Sequence, residues 1–271
     1  MSSSFFKLEK ISDDRIAVLS LNRPEKRNSM SWQFWAELPE IVGKIEQDEE
    51  IRCVVVAGEG KSFSTGLDIP EFFSRFQSSI QADVADGRER LYDLIIQMQQ
   101  GFHSIANSKK IYIAAIHRHC IGGGLDLISA CDLRLASKDA SFSLRETKVA
   151  IVADMGSLNR LPGIIGQGNT AMLAYTGRDF DALEAYRMGL VNEVFEDQDT
   201  LMDSALNLAR EIASNPYLAL KGTKEVLRYQ RSHSVEDGMK YVAAWNAAFL
   251  DSKDLRELFA AFTEKRKPNF N

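Results

Sequence analysis

The sequence is poor in the residues that build metal centres and disulfide frameworks. It has three cysteines, Cys53, Cys120 and Cys131, an odd number without a CxxC pair. This count argues against a disulfide framework and a zinc site, and the apolar surroundings of each cysteine favour a small core residue in a reducing compartment. The four histidines show no ligand spacing. We therefore expect no bound metal.

Other functional signatures are also missing. No serine stands in a G-x-S-x-G setting, which argues against a hydrolase elbow. No apolar run approaches the ~20 residues that a membrane helix requires. A net charge of −5 without a basic stripe argues against nucleic acid and membrane surfaces as partners. Because MSSSFFKLEK lacks a signal-peptide core and KRKPNFN is not a peroxisomal address, we expect a cytoplasmic location.

The pattern of apolar residues predicts an α/β chain. Strands are predicted at residues 15–21, 52–57, 111–116, 133–136 and 141–144. Ser31 is predicted to cap a helix that Pro39 kinks or interrupts. From about Asp181 onward the chain is predicted to be helical, with Asp181, Asp199 and Ser234 as N-caps. Strands alternating with helices over the first two-thirds favour crossover connections.

Two glycine-containing loops carry the most informative pattern. In the first, GEGKSFSTGLDIPEF at residues 58–72, Gly60 and Gly66 permit a backbone path that side chains would block. The second, the glycine triplet at residues 122–124, precedes a predicted helix, so its amides would lie at a positive helix terminus. If amides from both loops converge on one oxygen, they form an oxyanion hole, where one donor stabilises the transition state by about 2.7–4 kcal/mol.

Three carboxylates follow the second loop among apolar residues: Asp126, Glu146 and Asp154. A lone acid in an apolar run is costly to bury, so it is usually paired, hydrogen-bonded or functional. Together with the glycine loops, these acids predict acid–base chemistry on a bound carbonyl group.

Each feature also has a purely structural interpretation. A glycine-rich loop alone is more often a tight turn. In that interpretation Asp126 caps a helix, and Asp154 accepts hydrogen bonds from nearby amides in a turn. Glu146 pairs with a neighbouring arginine, Arg134 or Arg145. The joint occurrence of these features favours the functional interpretation.

In this order the motifs resemble those of the enoyl-CoA hydratase/isomerase (crotonase) superfamily. RPEKRNSM at residues 23–30 resembles its adenine-side CoA loop, GKSFSTGLDI at 60–69 its first oxyanion loop, and CIGGGLDLISACDLRLAS at 120–137 its second. AYRMGLVNEVF at 185–195 and the terminal EKRKPNF extend the resemblance over essentially the whole chain.

Within the superfamily the acids distinguish the reactions. Hydratases resemble this chain at Asp126, where they usually have Glu, and at Glu146, but they usually have glycine in place of Asp154. The set of three acids, with VADMGSLNRLP and YVAAWN, is similar to that of delta-3,5–delta-2,4-dienoyl-CoA isomerases. The resemblance thus implies an enzyme of the fatty-acid β-oxidation type that shifts 3,5-dienoyl-CoA to 2,4-dienoyl-CoA.

The resemblance also implies roles for individual residues. Leu67 and Gly123 would donate the oxyanion-hole amides. Glu146 would take a proton from C2 and Asp154, kept neutral by apolar neighbours, would supply one at C6, while Asp126 would support or polarise the site. The residues implied to bind the CoA substrate are Lys26, Arg27, Ser29, Thr65, Gly66, Asp68 and Gly124.

The implied fold is α/β, a crotonase-like spiral of ββα units over residues 1–195 followed by a C-terminal helical trimerisation region over residues 196–271, together one functional unit. Relatives usually assemble as trimers or dimers of trimers, so we expect a homotrimer or homohexamer that uses neither a metal nor a redox cofactor. Two rival functions stay open. One is an enoyl-CoA hydratase, in which Asp126 and Glu146 position a water. The other is a non-catalytic acyl-CoA-binding protein.

Overall fold

The structure, a computed structural model, describes residues 4–81 and 84–270. Within these ranges there are nine strands and ten α-helices. The strands are β1 (Phe6–Ile11), β2 (Ile16–Leu21), β3 (Cys53–Gly58), β4 (Ile111–Ile116), β5 (His119–Ile121), β6 (Leu133–Ser137), β7 (Ser141–Ser143), β8 (Asp179–Asp181) and β9 (Glu193–Phe195). The helices are α1 (Trp32–Gln47), α2 (Ile69–Ile80), α3 (Ala85–Asn107), α4 (Gly123–Ala130), α5 (Ser157–Thr176), α6 (Ala182–Arg187), α7 (Gln198–Ala213), α8 (Tyr217–Gln230), α9 (Val235–Phe249) and α10 (Lys253–Glu264).

The main sheet has six strands in the order β1-β2-β3-β4-β6-β9. Its first pair is antiparallel, and every later pair is parallel. Parallel neighbours require crossover connections, which here run through α1 between β2 and β3 and through α3 before β4. The expected α/β architecture is therefore confirmed.

Helices cover both faces of this sheet. In β3 the side chains of Val54 and Val56 belong to the main core, whereas those of Cys53 and Val55 face a second cluster with α7. Successive residues of a strand point to opposite faces, so a strand buried on both sides reads as the unbroken apolar run CVVVA. Cys53, Cys120 and Cys131 are all buried free thiols, as predicted.

A smaller sheet positions the second glycine loop. Its strands are ordered β5-β7-β8, and β5 runs parallel to β7, with Ile121 opposite Ser143. The pairing continues past the strand end, since the amide of Gly122 donates to the carbonyl of Ser143 at 2.9 Å. The glycine triplet and the segment that follows β7 are thereby held side by side.

Most of the predicted strands and helices are confirmed. Strands β1, β5, β8 and β9 were not predicted, and β9 lies in the region that was predicted to be helical. Two predicted details of the helices also differ. Helix α1 runs through Pro39 as one helix. Its apolar residues on both sides of the proline, including Trp35 and Val42, are buried, and each such burial is worth about 1.5–3 kcal/mol against the ~3 kcal/mol cost of an interior proline. The cap of α7 is Asp197 and not Asp199, because Asp197 forms a reciprocal capping box with Thr200.

The helices after β9 are attached to the sheet in two ways. Helix α7 buries Leu201, Ala205 and Ala209 against the second core cluster. Helix α8 is attached through Lys224, whose Nζ donates to Asp132 Oδ2 at 2.7 Å and to the Lys110 carbonyl at 2.6 Å. The pair is largely buried, with 10% and 19% of the two side chains exposed.

Replacing Lys224 with Met should destabilise the protein. The change leaves the Asp132 carboxylate without its cation, and breaking a buried pair by removing one partner costs about 3–5 kcal/mol. The free energy of unfolding, measured by urea denaturation, should fall by about 3 kcal/mol. Lys240→Met is the matched control because the Lys240 side chain is 70% exposed in its ion pair with Glu236. Equal effects of the two substitutions would contradict the role given to Lys224.

Candidate active site

The first glycine loop leaves one backbone amide available beside a cavity. The Gly66 carbonyl accepts from the Met30 amide at 2.7 Å, and the Asp68 amide donates to the Met30 carbonyl at 3.0 Å. Leu67 lies between these two bonds, and among the described residues its own amide has no hydrogen-bond acceptor. Its N–H is therefore free to bind a ligand oxygen.

The second glycine loop supplies another such amide. Gly122 has φ +52° and precedes α4, whose first residue is Gly123. The Gly123 amide has no acceptor among the described residues, as expected for the first turn of a helix. A Cβ on Gly66 would lie 3.2 Å from this nitrogen and 2.6 Å from the Ile121 carbonyl oxygen. The two loops are thus in direct backbone contact, and their free amides are neighbours.

All three predicted acids line the same cavity as these loops. The cavity has a volume of about 280 Å³, and its wall includes Leu67, Gly123, Asp126, Glu146 and Asp154. Most of its remaining wall is apolar and is formed by Trp35, Ile69, Phe72, Phe73, Ile80, Leu91, Ile95, Met98, Ile121, Val149, Ile151 and Met155. An apolar cavity with a few convergent polar groups is the usual form of a small-molecule site.

Glu146 begins a short 3-10 turn (Glu146–Val149) directly after β7. Its Oε1 lies 3.1 Å from the point where a Cβ on Gly122 would stand, and its Oε2 is buried without a hydrogen-bond partner among the described residues. Burial, and then the charge of Asp126, raise the pKa of Glu146 to about 7. Arg145 pairs with Asp179 instead, so the interpretation of Glu146 as the partner of Arg145 is wrong.

Asp126 is 2% exposed in the first turn of α4. Its Oδ1 accepts from the Ser157 amide at 2.7 Å, and Ser157 is the first residue of α5. Asp126 therefore caps a helix, as the purely structural interpretation predicted. The helix that it caps is α5, whereas Asp126 itself lies on α4. Burial raises the pKa of Asp126 to about 6. The contact connects the second glycine loop to the segment that carries Asp154.

Asp154 lies in the irregular segment that leads into α5. Burial raises the pKa of its carboxyl group, in the direction expected from its apolar neighbours. Met155 and Ile151 line the cavity, whereas Val152 is 76% exposed and does not contribute to this burial. The backbone carbonyl of Asp154 accepts from Gln99 Nε2 at 2.6 Å.

The residues predicted to bind the CoA portion are distributed differently. Thr65 and Gly66 line the cavity. Ser29 and Asp68 both contact Arg23, whose Nη1 lies 2.7 Å from Asp68 Oδ2. Lys26 and Arg27 are exposed on a turn, and the Arg27 carbonyl accepts from the Thr65 amide. Gly124 is closely packed, since a Cβ added there would lie 3.2–3.6 Å from atoms of Ser64 and Cys120. Their roles in binding remain predictions.

Gln99 and the apolar wall were not identified as site residues from the sequence. Leu91, Ile95 and Met98 follow the apolar periodicity of a helix, and a cavity wall and a core have the same periodicity, so the sequence alone does not distinguish them. Gln99 has no sequence signal at all, because its partner is a backbone carbonyl 55 residues away.

Across residues 4–81 and 84–270 there is no group of three His, Cys, Asp or Glu side chains placed to hold a metal ion. None of the helices in these ranges has the length and apolar character needed to cross a membrane.

The chain is similar to known proteins along almost its whole length. The model of the family described as Enoyl-CoA hydratase/isomerase matches residues 12–271. A Dictyostelium discoideum protein named Delta(3,5)-Delta(2,4)-dienoyl-CoA isomerase, mitochondrial, is 41% identical over 98% of this chain and 91% of its own. An Arabidopsis thaliana protein, named as the peroxisomal form of the same isomerase, is 42% identical over 97% and 95%.

A solved structure supports the fold independently. The enoyl-CoA hydratase from Bacillus anthracis superposes with a TM-score of 0.88 at 30% identity, covering 98% of each chain. A crotonase-type spiral is therefore shared with an enzyme named as a hydratase, whereas the relatives above, at higher identity, are named as isomerases.

The prediction of a cytoplasmic location is wrong, because the relatives at 41% and 42% identity are named as mitochondrial and peroxisomal proteins. That prediction rested on terminal residues and cysteine content. A cellular address is read by a receptor from a short segment, so composition and fold do not encode it.

Glu146→Gln should change how stability depends on pH. The unfolded carboxyl ionises near its ordinary pKa of 4.5, whereas the folded one holds its proton to about 7. Between these values only the unfolded state loses the proton, so wild-type stability falls as pH rises. The Glu146→Gln variant lacks this fall. Its stability advantage over the wild type in urea denaturation should grow by about 3 kcal/mol between pH 4.5 and pH 7 and then stay level.

The control for this measurement is Glu236→Gln, whose side chain is 79% exposed. It should follow the wild-type pH dependence. An advantage of Glu146→Gln that is constant or shrinks with rising pH would contradict the raised pKa of Glu146.

Proposed function

The chain belongs to the enoyl-CoA hydratase/isomerase family, and within that family we propose that it is a dienoyl-CoA isomerase that converts 3,5-dienoyl-CoA to 2,4-dienoyl-CoA. The observation that carries this function is the placement of Glu146 and Asp154 on one apolar cavity beside two unpartnered backbone amides. The reaction is of the kind used in fatty-acid β-oxidation.

The reaction removes a proton at C2, adds one at C6 and shifts the two conjugated double bonds by one carbon toward the thioester. A base removes the proton at C2, the electrons shift toward C6, and an acid protonates C6, so atoms and charge balance without a redox cofactor. The intermediate is an enolate conjugated with both double bonds of the diene (a trienolate), with negative charge on the thioester oxygen. The amides of Leu67 and Gly123 are the proposed donors to that oxygen, where preorganised donors stabilise the charge as it develops.

Two acids are needed because C2 and C6 lie at opposite ends of the diene. We assign Glu146 to the C2 proton, since a base works best with a pKa near the operating pH and burial raises its pKa to about 7. Asp154 is assigned to C6 because it is the other acid beside Glu146 on the cavity wall, and burial raises the pKa of its carboxyl group. Asp126 supports the site by capping α5.

The hydratase rival is favoured by the similarity to solved enoyl-CoA hydratases. Hydration across C2 and C3 uses two acids and gives no role to a third on the same cavity. The binding-protein rival leaves all three acids without a role, although each is buried at a cost in free energy. Asp154 is thus the residue that separates the functions.

The CoA portion is proposed to lie along the turn at Lys26 and Arg27, which is exposed and bonded to the cavity wall at Thr65. Their positive charges suit the phosphates of CoA. Ser29 and Asp68 would act mainly by fixing this turn through Arg23.

The decisive assay follows the ultraviolet absorbance of the 2,4-dienoyl thioester after addition of 3,5-dienoyl-CoA. The wild-type protein should form the conjugated product rapidly, and Asp154→Asn should lose at least about 100-fold in rate because one proton transfer contributes 10²–10⁴-fold. Hydration of a 2-enoyl-CoA is measured in parallel. Full isomerase activity in Asp154→Asn would exclude the assigned role, and hydration without diene formation would establish the hydratase.

We also propose a homotrimer or homohexamer assembled through the C-terminal helices. Large apolar side chains remain exposed on α8, α9 and α10: Leu227, Val235, Met239, Phe249, Leu258, Phe259 and Phe262. Patches of this kind usually mark interfaces. Light scattering should give three or six times the chain mass of 30.4 kDa. A monomer mass at micromolar concentration would contradict the proposal.

A further inference from the structure

The position of Asp154 is not set by regular secondary structure. It lies between the 3-10 turn at Glu146–Val149 and α5, in a segment with left-handed backbone at both ends. Ala150 has φ +59° and Gly156 has φ +113°. The place of the Asp154 carboxyl group therefore depends on the contacts that hold this segment.

One side chain holds the segment at Asp154 itself. Gln99 Nε2 donates to the Asp154 carbonyl oxygen at 2.6 Å. The other contacts hold the segment on either side of Asp154. Before it, the Ile151 amide donates to the Glu146 carbonyl at 3.0 Å. After it, Arg160 Nη1 donates to the Met155 carbonyl at 3.3 Å and the Ser157 amide donates to Asp126 Oδ1 at 2.7 Å. Gln99 is half-buried on α3.

Helix α3 also forms part of the cavity wall. Leu91, Ile95 and Met98 line the cavity, and Met98 is the neighbour of Gln99 in the chain. One helix therefore forms part of the apolar cavity wall and also fixes the backbone of the acid assigned to C6. Movement of this helix relative to the α5 segment would displace Asp154 from the reacting carbon.

We propose that Gln99 is a positioning residue that holds Asp154 at the C6 end of the substrate, an inference that rests on the proposed isomerase function. A single hydrogen bond to a carbonyl contributes little to the stability of the fold. Its catalytic effect is larger, because misplacing a reacting group by 1 Å can cost about 100-fold in rate. Loss of Gln99 should affect delivery of the C6 proton far more than folding or substrate binding.

The test compares Gln99→Met and Gln99→Glu with Gln100→Met. Methionine keeps the length of the side chain without a donor, and glutamate keeps its shape while placing a second acceptor against the carbonyl. Gln100 is exposed on the same helix and makes no cavity contact among the described residues, so it is the matched control. Both Gln99 variants are used so that a folding defect in one leaves the other to decide.

Three quantities are measured: kcat and KM for 3,5-dienoyl-CoA, and exchange of the C2 hydrogens of unreacted substrate in deuterated water, followed by mass spectrometry. In both Gln99 variants kcat should fall about 10- to 100-fold with KM within about twofold. C2 exchange should continue near the wild-type rate, because Glu146 is untouched. Gln100→Met should match the wild type in all three.

Two results would overturn the assignment of Gln99. One is a kcat within about twofold of that of Gln100→Met. The other is a parallel loss of C2 exchange and isomerisation, which would indicate a general disturbance of the cavity. A wild-type protein that exchanges C2 hydrogens or hydrates enoyl-CoA without forming the diene would instead refute the proposed function, and the inference would fall with it.

Discussion

Backbone must approach backbone at Gly66, and the rest of the site depends on that contact. A Cβ there would lie 2.6 Å from the Ile121 carbonyl oxygen, closer than nonbonded atoms can come, and Gly66 also has φ +81°. Any other residue would push the two loops apart and separate the amides of Leu67 and Gly123. The second glycine loop leads into α4, which carries Asp126, and its Gly122 amide is bonded to Ser143, shortly before Glu146. The contact at Gly66 therefore also sets the distance between the amide donors and the acids.

The acids are held where water stabilises their charge poorly, with Asp126 fully buried and Glu146 and Asp154 half-buried. Burial raises the pKa of Asp126 and Glu146, to about 6 and about 7, and raises that of Asp154. A buried carboxylate oxygen without a partner, such as Glu146 Oε2, destabilises the fold at neutral pH. The main core and the cluster under α7 offset this cost. The same burial that lowers the stability of the fold raises the pKa values of the acids, so that they exchange protons readily near neutral pH.

The parts of the fold that were predicted correctly are those with a strong local signal. Strand β4 matches residues 111–116, and β3 lies within one residue of its predicted bounds, because strands buried on both faces are unbroken apolar runs. Strand β1 was missed: as an edge strand, FKLEKI exposes most of its residues and has no clear alternation. The unbroken α1 and the cap at Asp197 depended on packing and on a reciprocal side-chain bond, neither of which a propensity scale contains.

The sequence by itself determined which chemical groups the site would use. Glycines at 66 and 122–124 and acids at 126, 146 and 154 carry their chemistry in their residue types, and their order in the chain identified the family. Only the tertiary structure decided which of these groups share a cavity, that Asp126 caps α5 through Ser157, and that Gln99 holds Asp154. These contacts join residues 31 and 55 positions apart, and distances between such residues exist only once the sheet and helices have packed.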